Sequence, residues 1–286
     1  MKKYIFLCCL IGTFLLQGCG EGEIVEYSYR EYGLNQPVKS VRMTEYDASS
    51  KFGEVVKGEC RRVDVHDFNE DGFVAVSTRH DRYGDMRSVY KYRYNEGGKS
   101  LGWSYYDSDG AEVRRGDLEY EGGNLSKVTV RSGHTGNVDF MTKYEYNEGV
   151  LEATRRYDRD GELVHVRKYS KHDKTGCAWV EYDESGNEDS RGEEQLDKNG
   201  RIVKSTEGCR SFEVVWNEKG LPEVVKNGTW DCESLSRDGF RYAYSDNDRT
   251  YYYEYEYDKK GNWIKVTEYL GEFKKPIHVV EREITY

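Results

Sequence analysis

Carboxylates and amides placed just ahead of a glycine are the residues of this chain whose spacing most suggests a metal site. They stand in pairs at Asn69 and Asp71, Asp107 and Asp109, and Asp158 and Asp160. A calcium loop begins in this way, but none of the pairs is followed by the glutamate that such a loop carries at its twelfth position. Asp and Asn also hydrogen-bond the backbone two residues on in tight turns. We therefore interpret the pairs as turn residues and predict no metal and no cofactor.

Histidines and the remaining carboxylates could act as acids, bases or ligands. The six histidines fall at no metal-binding spacing, and His66, His80 and His165 occupy predicted strand positions, where packing is their expected role. Two of the 53 acidic residues could flank a glycosidic bond in the fold, but the sequence does not select them. It also contains no serine nucleophile elbow and no phosphate-binding loop. We predict no catalytic residues and a protein that is not an enzyme, with a glycan hydrolase as the alternative.

The N-terminus has the pattern of an exported protein. Two lysines precede an apolar stretch from Tyr4 to Leu16, which is shorter than the ~20 residues of a membrane-spanning helix and suits a signal peptide. The following residues, Leu16-Gln17-Gly18-Cys19, resemble the lipobox of bacterial lipoproteins. The resemblance implies cleavage after Gly18 and acylation of Cys19. We predict a signal peptide over residues 1–18 and a mature chain anchored to a membrane by the lipid on Cys19.

Acidic residues follow the predicted lipid directly, at Glu21 and Glu23. They resemble the acidic export signals that send some Gram-negative lipoproteins to the cell surface, and they fit a solvated tether equally well. We predict a tether over residues 19–36, a repetitive folded domain over 37–286, and attachment to the outer membrane. Both the cell surface and the periplasmic face remain open.

Charge and composition narrow the classes of partner. Removal of residues 1–18 takes away two of the 43 basic residues and none of the 53 acidic ones, which changes the net charge from −10 to −12. Nucleic-acid binding needs a basic face, so we expect no nucleic-acid partner. The 26 tyrosines and five tryptophans are patterned although the mean hydropathy is only −0.92, which predicts a folded chain.

A short motif recurs along the chain and predicts the fold. An aromatic residue precedes Asp or Asn, then two residues and a glycine, as in Tyr106 before Asp107–Gly110 and Tyr257 before Asp258–Gly261. Glycines recur every 12 or 13 residues at positions 72, 84, 97, 110, 123, 136, 149 and 161. The first turn residue and the glycine suit a type I turn with a G1 bulge. The repeat predicts an all-β protein, an antiparallel meander of about 18 strands in a curved or rolled sheet.

Alternation between the turns predicts a strand face rich in aromatic residues. Its candidate members are four tyrosines at alternate positions of one strand and a tryptophan just after the next turn: Tyr251, Tyr253, Tyr255, Tyr257 and Trp263. Such a face could stack on sugar rings or pack against a protein, or it could be the protein's own core.

The stretch from Tyr255 to Asn262, YEYDKKGN, resembles the YD repeat of RHS-type bacterial proteins, and a lipobox followed by such repeats is similar to small lipoproteins of that kind. In that family the repeats build a wide curling sheet, sometimes a shell around a cargo. This chain is far shorter than the large members and lacks a toxin domain and the RHS core motif. The resemblance therefore implies a curved open sheet.

Four cysteines follow Cys19, and an exported chain permits disulfides. Cys209 and Cys232 lie nearly symmetrically about the turn predicted at 217–220, so we predict them as a candidate disulfide. Cys60 and Cys177 are expected to be buried thiols. The predicted function is a non-catalytic outer-membrane lipoprotein that binds or scaffolds a glycan or an envelope protein. The alternative is a hydrolase that acts on envelope or surface glycans.

Overall fold

The computed structural model describes residues 28–208, 210–229 and 249–286, with the backbone alone for residues 171, 172 and 229. The predicted signal peptide, Cys19 with its acidic neighbours, and the candidate pair Cys209 and Cys232 lie outside the described residues. Residues 28–36 belong to the predicted tether, yet they pack against the sheet. Tyr32 and Leu34 in this segment are buried.

The described residues form 18 β-strands. They are β1 (Ser40–Lys51), β2 (Glu54–Phe68), β3 (Val74–Asp81), β4 (Met86–Tyr94), β5 (Ser100–Tyr106), β6 (Glu112–Glu121), β7 (Asn124–Ser132), β8 (Val138–Asn147), β9 (Val150–Asp158), β10 (Leu163–Asp173), β11 (Gly176–Asp183), β12 (Glu188–Leu196), β13 (Ile202–Glu207), β14 (Arg210–Trp216), β15 (Pro222–Thr229), β16 (Arg249–Tyr257), β17 (Trp263–Leu270) and β18 (Lys275–Thr285). All the pairings between them are antiparallel, which confirms the predicted all-β meander.

The repeated turns have the predicted chemistry. At Asp81 the carboxylate accepts hydrogen bonds from the backbone N–H groups of Tyr83 and Asp85, at 2.8 and 3.1 Å. Gly84 closes the turn with φ of 88°, and the register of β3 and β4 shifts beside it, as a G1 bulge requires. One turn differs from the prediction, because its positive-φ glycine is Gly98 (φ 79°) and not Gly97.

Gly161→Val is expected to lower the free energy of unfolding by about 1–2 kcal/mol, because a branched side chain is strained at positive φ. Gly161 has φ of 84°, and a Cβ placed there would have no neighbour within 4 Å, so steric clash adds nothing. Urea denaturation measures the change. Gly97→Val is the control, since Gly97 is not among the positive-φ glycines. Equal effects of the two substitutions would refute the turn assignment.

The sheet is closed, which corrects the expectation of a curved open sheet. Each strand pairs with the strands before and after it, and β1 pairs with both β2 and β18. Val41, for example, lies opposite Ile284 of β18 and His66 of β2. Open twisted sheets rarely exceed about 10 strands. Closure satisfies the backbone groups that two long free edges would otherwise expose.

The two faces of the closed sheet differ in character. The inner face carries buried side chains in clusters from neighbouring strands, such as Val128 with Val130 and Val225 with Trp263. The outer face carries cross-strand ion pairs with N–O distances of 2.6 Å: Arg93–Asp117, Lys127–Glu119 and Arg155–Glu145. These pairs are about one-third to one-half exposed, so each contributes at most about 1 kcal/mol.

The chain enters the sheet at one of its two rims. Ser28 forms a bridge with Phe73, and the N–H of Tyr29 donates to the carbonyl of Gly72 at 2.9 Å. We call this rim the tether edge; its turns include residues 69–72, 95–98, 122–123, 148–149, 197–200, 217–220 and 258–261. The opposite rim is the far edge; its turns include residues 52–53, 82–85, 107–111, 133–137, 159–162, 184–187 and 271–274.

Candidate functional site

A network of charged and polar side chains crosses the sheet where its first and last strands meet, and we call it the closure network. Its members are Tyr253 of β16, Glu268 of β17, His278 of β18, Glu45 of β1, Arg61, Arg62 and Asp64 of β2, and Arg79 of β3. Strand register brings them together, because Glu45 lies opposite Arg62, Asp64 opposite Arg79, and Glu268 opposite His278. Arg61 is the extra residue of a bulge between β1 and β2.

Two buried carboxylates hold the arginines of this network. Arg62 Nε lies 2.9 Å from Glu45 and 3.2 Å from Asp64, and Arg79 Nε donates to Asp64 at 2.8 Å. Arg61 Nη1 lies 3.3 Å from the other oxygen of Glu45. Each carboxylate thus forms ion pairs with two guanidinium groups.

The third carboxylate links the network to the aromatic strand β16. The Tyr253 hydroxyl donates to Glu268 at 2.9 Å, and His278 Nδ1 lies 2.7 Å from the other oxygen of Glu268. The second nitrogen of His278 contacts Arg61. Burial, followed by the charge of Glu268, raises the pKa of Tyr253 well above its usual value, so the phenol stays protonated and acts as a donor.

A smaller charged group lies on the inner face further along the sheet. Glu181 accepts from the Ser190 hydroxyl at 2.6 Å, contacts Arg167, and lies 3.6 Å from His165 Nε2. Burial acts to raise the pKa of Glu181, but Ser190 and Arg167 outweigh it, and the pKa is lowered. The pKa is lowered likewise at Asp81, Glu112, Glu188, Asp197 and Asp258. These groups are ionised acceptors and not general acids.

Arg282 is a buried cation that stacks on Trp263. Its Cζ lies 3.3 Å from the ring centroid, and its Nη1 donates to the Tyr32 carbonyl at 2.6 Å. Its Nε and Nη2 have no partner in the part of the chain that the structure describes. Burial lowers the pKa of Arg282 to about 9, which still leaves it charged at neutral pH. The segment around Tyr32 is thereby held against the inner face.

His66 is expected to make the protein less stable in mild acid. Its Nδ1 lies 2.8 Å from Ser77 Oγ, and burial lowers its pKa from 6.5 to about 4. The unfolded chain therefore binds a proton more readily, and stability is lost as pH falls from 6.5 to 4, by about 2–3 kcal/mol at pH 4.5. Urea midpoints at pH 7.5 and 4.5 measure this loss. His66→Gln should lack it, and an unchanged pH dependence in that variant would contradict the assignment.

The predicted aromatic face lies on the inner face of the sheet. Tyr251, Tyr253 and Trp263 are buried in one cluster, and Tyr255 and Tyr257 are half-buried beside them. The Tyr255 hydroxyl donates to the Pro222 carbonyl at 2.9 Å. A ligand outside the closed sheet has no access to the three buried rings, so packing accounts for them directly.

His66, His80 and His165 lie in β2, β3 and β10, which confirms their predicted strand positions.

The cysteine prediction is partly corrected. Cys177 is buried, as expected, but it is disulfide-bonded to a partner that lies outside the described residues. Cys60 is a free thiol, half-buried on β2. Within the described ranges, no three His, Cys, Asp or Glu side chains are grouped so that they could hold a metal ion. Those ranges also contain no helix with the length and apolar character needed to cross a membrane.

Three exposed aromatic residues at the far edge were missed from the sequence. Phe52 and Phe273 are each 97% exposed and Tyr83 is 77% exposed. They stand on the hairpins β1–β2, β17–β18 and β3–β4, which follow one another around the ring. The available signal was Phe52 before Gly53, an aromatic residue at a turn position that favours Asn, Asp or Gly.

Comparison with known proteins yields only distant similarity in structure. No family model and no curated protein matches the chain. A porin-like protein from Bacteroides uniformis ATCC 8492 is similar with a TM-score of 0.40 and 9% identity, over 87% of this chain and 96% of that one. A second porin-like protein, from Bacteroides vulgatus ATCC 8482, is similar with a TM-score of 0.28 and 10% sequence identity, over 87% of this chain and 98% of that one. The structure of TcdB2-TccC3 is similar with a TM-score of 0.25 and 13% sequence identity, over 78% of this chain and 14% of that one.

Proposed function

We propose that this protein is a non-catalytic lipoprotein, anchored to the outer membrane through Cys19, whose closed sheet of YD-like repeats serves as a binding or scaffold module. One observation carries the proposal: the chain enters at the tether edge, while the three most exposed aromatic residues of the described ranges, Phe52, Tyr83 and Phe273, stand at the far edge. A lipid on Cys19 would hold one rim near the membrane and present the other to partners.

The length of the tether supports this arrangement. Nine residues lead from Cys19 to Ser28, and at ~3.3–3.6 Å per residue they reach at most about 30 Å. The tether edge is then confined to the neighbourhood of the bilayer surface. The charged outer face favours water around the sheet, because a Lys or Arg at the centre of a bilayer costs about 2.5–3.5 kcal/mol on insertion scales.

The state of the carboxylates favours binding over hydrolysis. Glu45, Asp64 and Glu268 are held by arginine, histidine or tyrosine partners. A glycosidase needs one carboxyl group that is free to protonate the leaving oxygen and a second that is free to act as base or nucleophile. The partner we propose is an envelope protein or a glycan, and the cell surface and the periplasmic face both remain open.

Substitution of the lipidated cysteine tests the anchor. Cys19→Ser is expected to release the protein from the membrane fraction and to abolish its labelling by radioactive palmitate, while its thermal unfolding stays unchanged. Cys60→Ser, a change at a cysteine that is a free thiol, is the control and should leave both membrane attachment and labelling intact. Membrane association of the Cys19→Ser protein without label would contradict the lipoprotein assignment.

A further inference from the structure

The hairpin β1–β2 extends beyond both of its neighbours at the far edge. Pairing of β18 with β1 ends at Asp47 opposite His278, and pairing of β3 with β2 ends at Arg62 opposite Asp81. Beyond these points β1 and β2 pair only with each other, and residues 49–59 are all exposed. We call residues 48–61 the projecting hairpin.

One side of the projecting hairpin is an unpaired strand edge. Residues 54–61 of β2 form no ladder on the side of β3, so backbone N–H and C=O groups along this stretch face solvent. An unpaired edge is a template on which another extended chain can add a strand. Eight residues exceed the five or six of an average strand. Other strands also extend past a neighbour, as residues 253–257 of β16 do past β15, but the stretch in β2 is longer.

Apolar side chains surround this edge. Val55 and Val56 point to opposite faces of the hairpin and are 38% and 39% exposed. Phe52 forms its tip with φ of 53°, a conformation that bulky residues rarely adopt, and Tyr83, which is 77% exposed, stands on the β3–β4 hairpin on the side of the open edge. Two exposed aromatic residues beside an open edge are typical of an interaction surface and not of a solvated turn.

Three of the five charged side chains of the projecting hairpin, those of Lys57, Glu59 and Arg61, have ionic partners within the chain. Lys57 Nζ lies 2.8 Å from Glu281, and Arg82 lies 3.7 Å from Glu59. Arg61 contacts Glu45 and His278 in the closure network. An added strand therefore gains little binding free energy from charged side chains. Apolar side chains at alternate positions of that strand would pack against Val55, Val56 and Phe52.

We propose that an extended segment of a partner protein, apolar at alternate residues and uncharged along its contact, adds a strand to β2 at residues 54–61. The proposal rests on the proposed function, because the anchor excludes the other occupants. Two copies that pair their β2 edges antiparallel are related by a two-fold axis perpendicular to the shared sheet. Their tether edges would then point in opposite directions, which one membrane does not allow. A lipid surface is excluded because the hairpin projects from the far edge.

A peptide-binding measurement tests the proposal without the membrane. The probe is a fluorescent peptide of alternating Thr and Val between terminal lysines, and its control carries prolines in place of alternate threonines. Binding to the full mature chain carrying Cys19→Ser is followed by fluorescence anisotropy. We expect binding of the alternating peptide, and no binding of the proline peptide, because proline removes the N–H groups that a ladder needs.

Two matched substitutions locate the binding. Val56→Asp should weaken binding of the probe by about tenfold or more, while Val215→Asp, at a valine 51% exposed on β14, should leave it unchanged. Both sites are exposed, so thermal unfolding should be unaffected and serves as the check on folding. Lack of binding by the unsubstituted chain, equal effects of the two substitutions, or a dimer in sedimentation that Val56→Asp abolishes would each overturn the proposal. Failure of the anchor would appear instead in the palmitate experiment, so the two failures are distinguishable.

Discussion

Trp263→Ala is expected to lower the free energy of unfolding by about 3–5 kcal/mol and the Tm by about 10 °C. Trp263 is fully buried at the start of β17, where it packs with Tyr251, Tyr253 and Val266 and beneath the Arg282 guanidinium. Its removal leaves a cavity that a close-packed cluster fills only in part. It also takes away the one surface on which the buried cation rests.

The control for this prediction is an aromatic residue that packs against little. Phe273→Ala removes a side chain that is 97% exposed, so its effect on unfolding should remain within about 0.5 kcal/mol. Chemical denaturation of both variants and the parent protein measures the difference. Similar losses for Trp263→Ala and Phe273→Ala would show that the inner face of the sheet does not hold the core.

Glu45→Ala is expected to cost about 2–4 kcal/mol, because it leaves Arg61 and Arg62 without their shared carboxylate. The Glu45 side chain is only 6% exposed, whereas the side chains of Arg61 and Arg62 are 42% and 24% exposed. Water can reach the two arginines in part, so the cost falls below that of a fully buried pair. Glu45→Gln should lose less, since the amide oxygen still accepts a hydrogen bond.

An exposed ion pair between β2 and β18 provides the comparison for Glu45. Glu281→Ala breaks the pair with Lys57, whose two side chains are 42% and 38% exposed, and the expected loss is at most about 1 kcal/mol. Thermal and urea unfolding of both variants measure the two losses in the free energy of unfolding. A Glu45→Ala loss no larger than that of Glu281→Ala would mean that the closure network does not stabilise the junction of β1 with its neighbours.

Local features of this fold could be predicted from the sequence, because each depends on a few consecutive residues. The carboxylate of Asp81 and the positive φ of Gly84 act within five residues of one another. The alternation of Tyr251 and Tyr253 with polar residues places both rings on one face in the same way. The turns, the antiparallel meander and the number of strands therefore followed from the repeat.

Closure of the sheet could not be predicted, because it joins residues from opposite ends of the chain. Ser40 lies opposite Thr285 in the structure, and no repeat spacing indicates that the first and last strands pair. The location of the aromatic face depends on closure as well. Alternation shows that the tyrosines share a face, but only the closed ring decides that this face is enclosed.

The closure network and the projecting hairpin were missed for related reasons. Among 53 acidic residues, only the register of β17, β18, β1 and β2 selects Glu45, Asp64 and Glu268. The hairpin at Phe52 and Gly53 lacks the Asp-x-x-Gly motif, so the repeat gave no sign of its length. Its exposure also depends on where β3 and β18 stop pairing, which is again a matter of distant register.

The orientation of the sheet on the membrane tests the central claim most directly. In a Cys60→Ser background, a dye would be attached at Glu70→Cys on the tether edge or at Phe273→Cys on the far edge, and the lipidated protein inserted into liposomes that carry an acceptor dye. We predict strong energy transfer from the tether edge and weak transfer from the far edge. Equal transfer, or stronger transfer from Phe273→Cys, would contradict an anchored sheet that presents its far edge to partners.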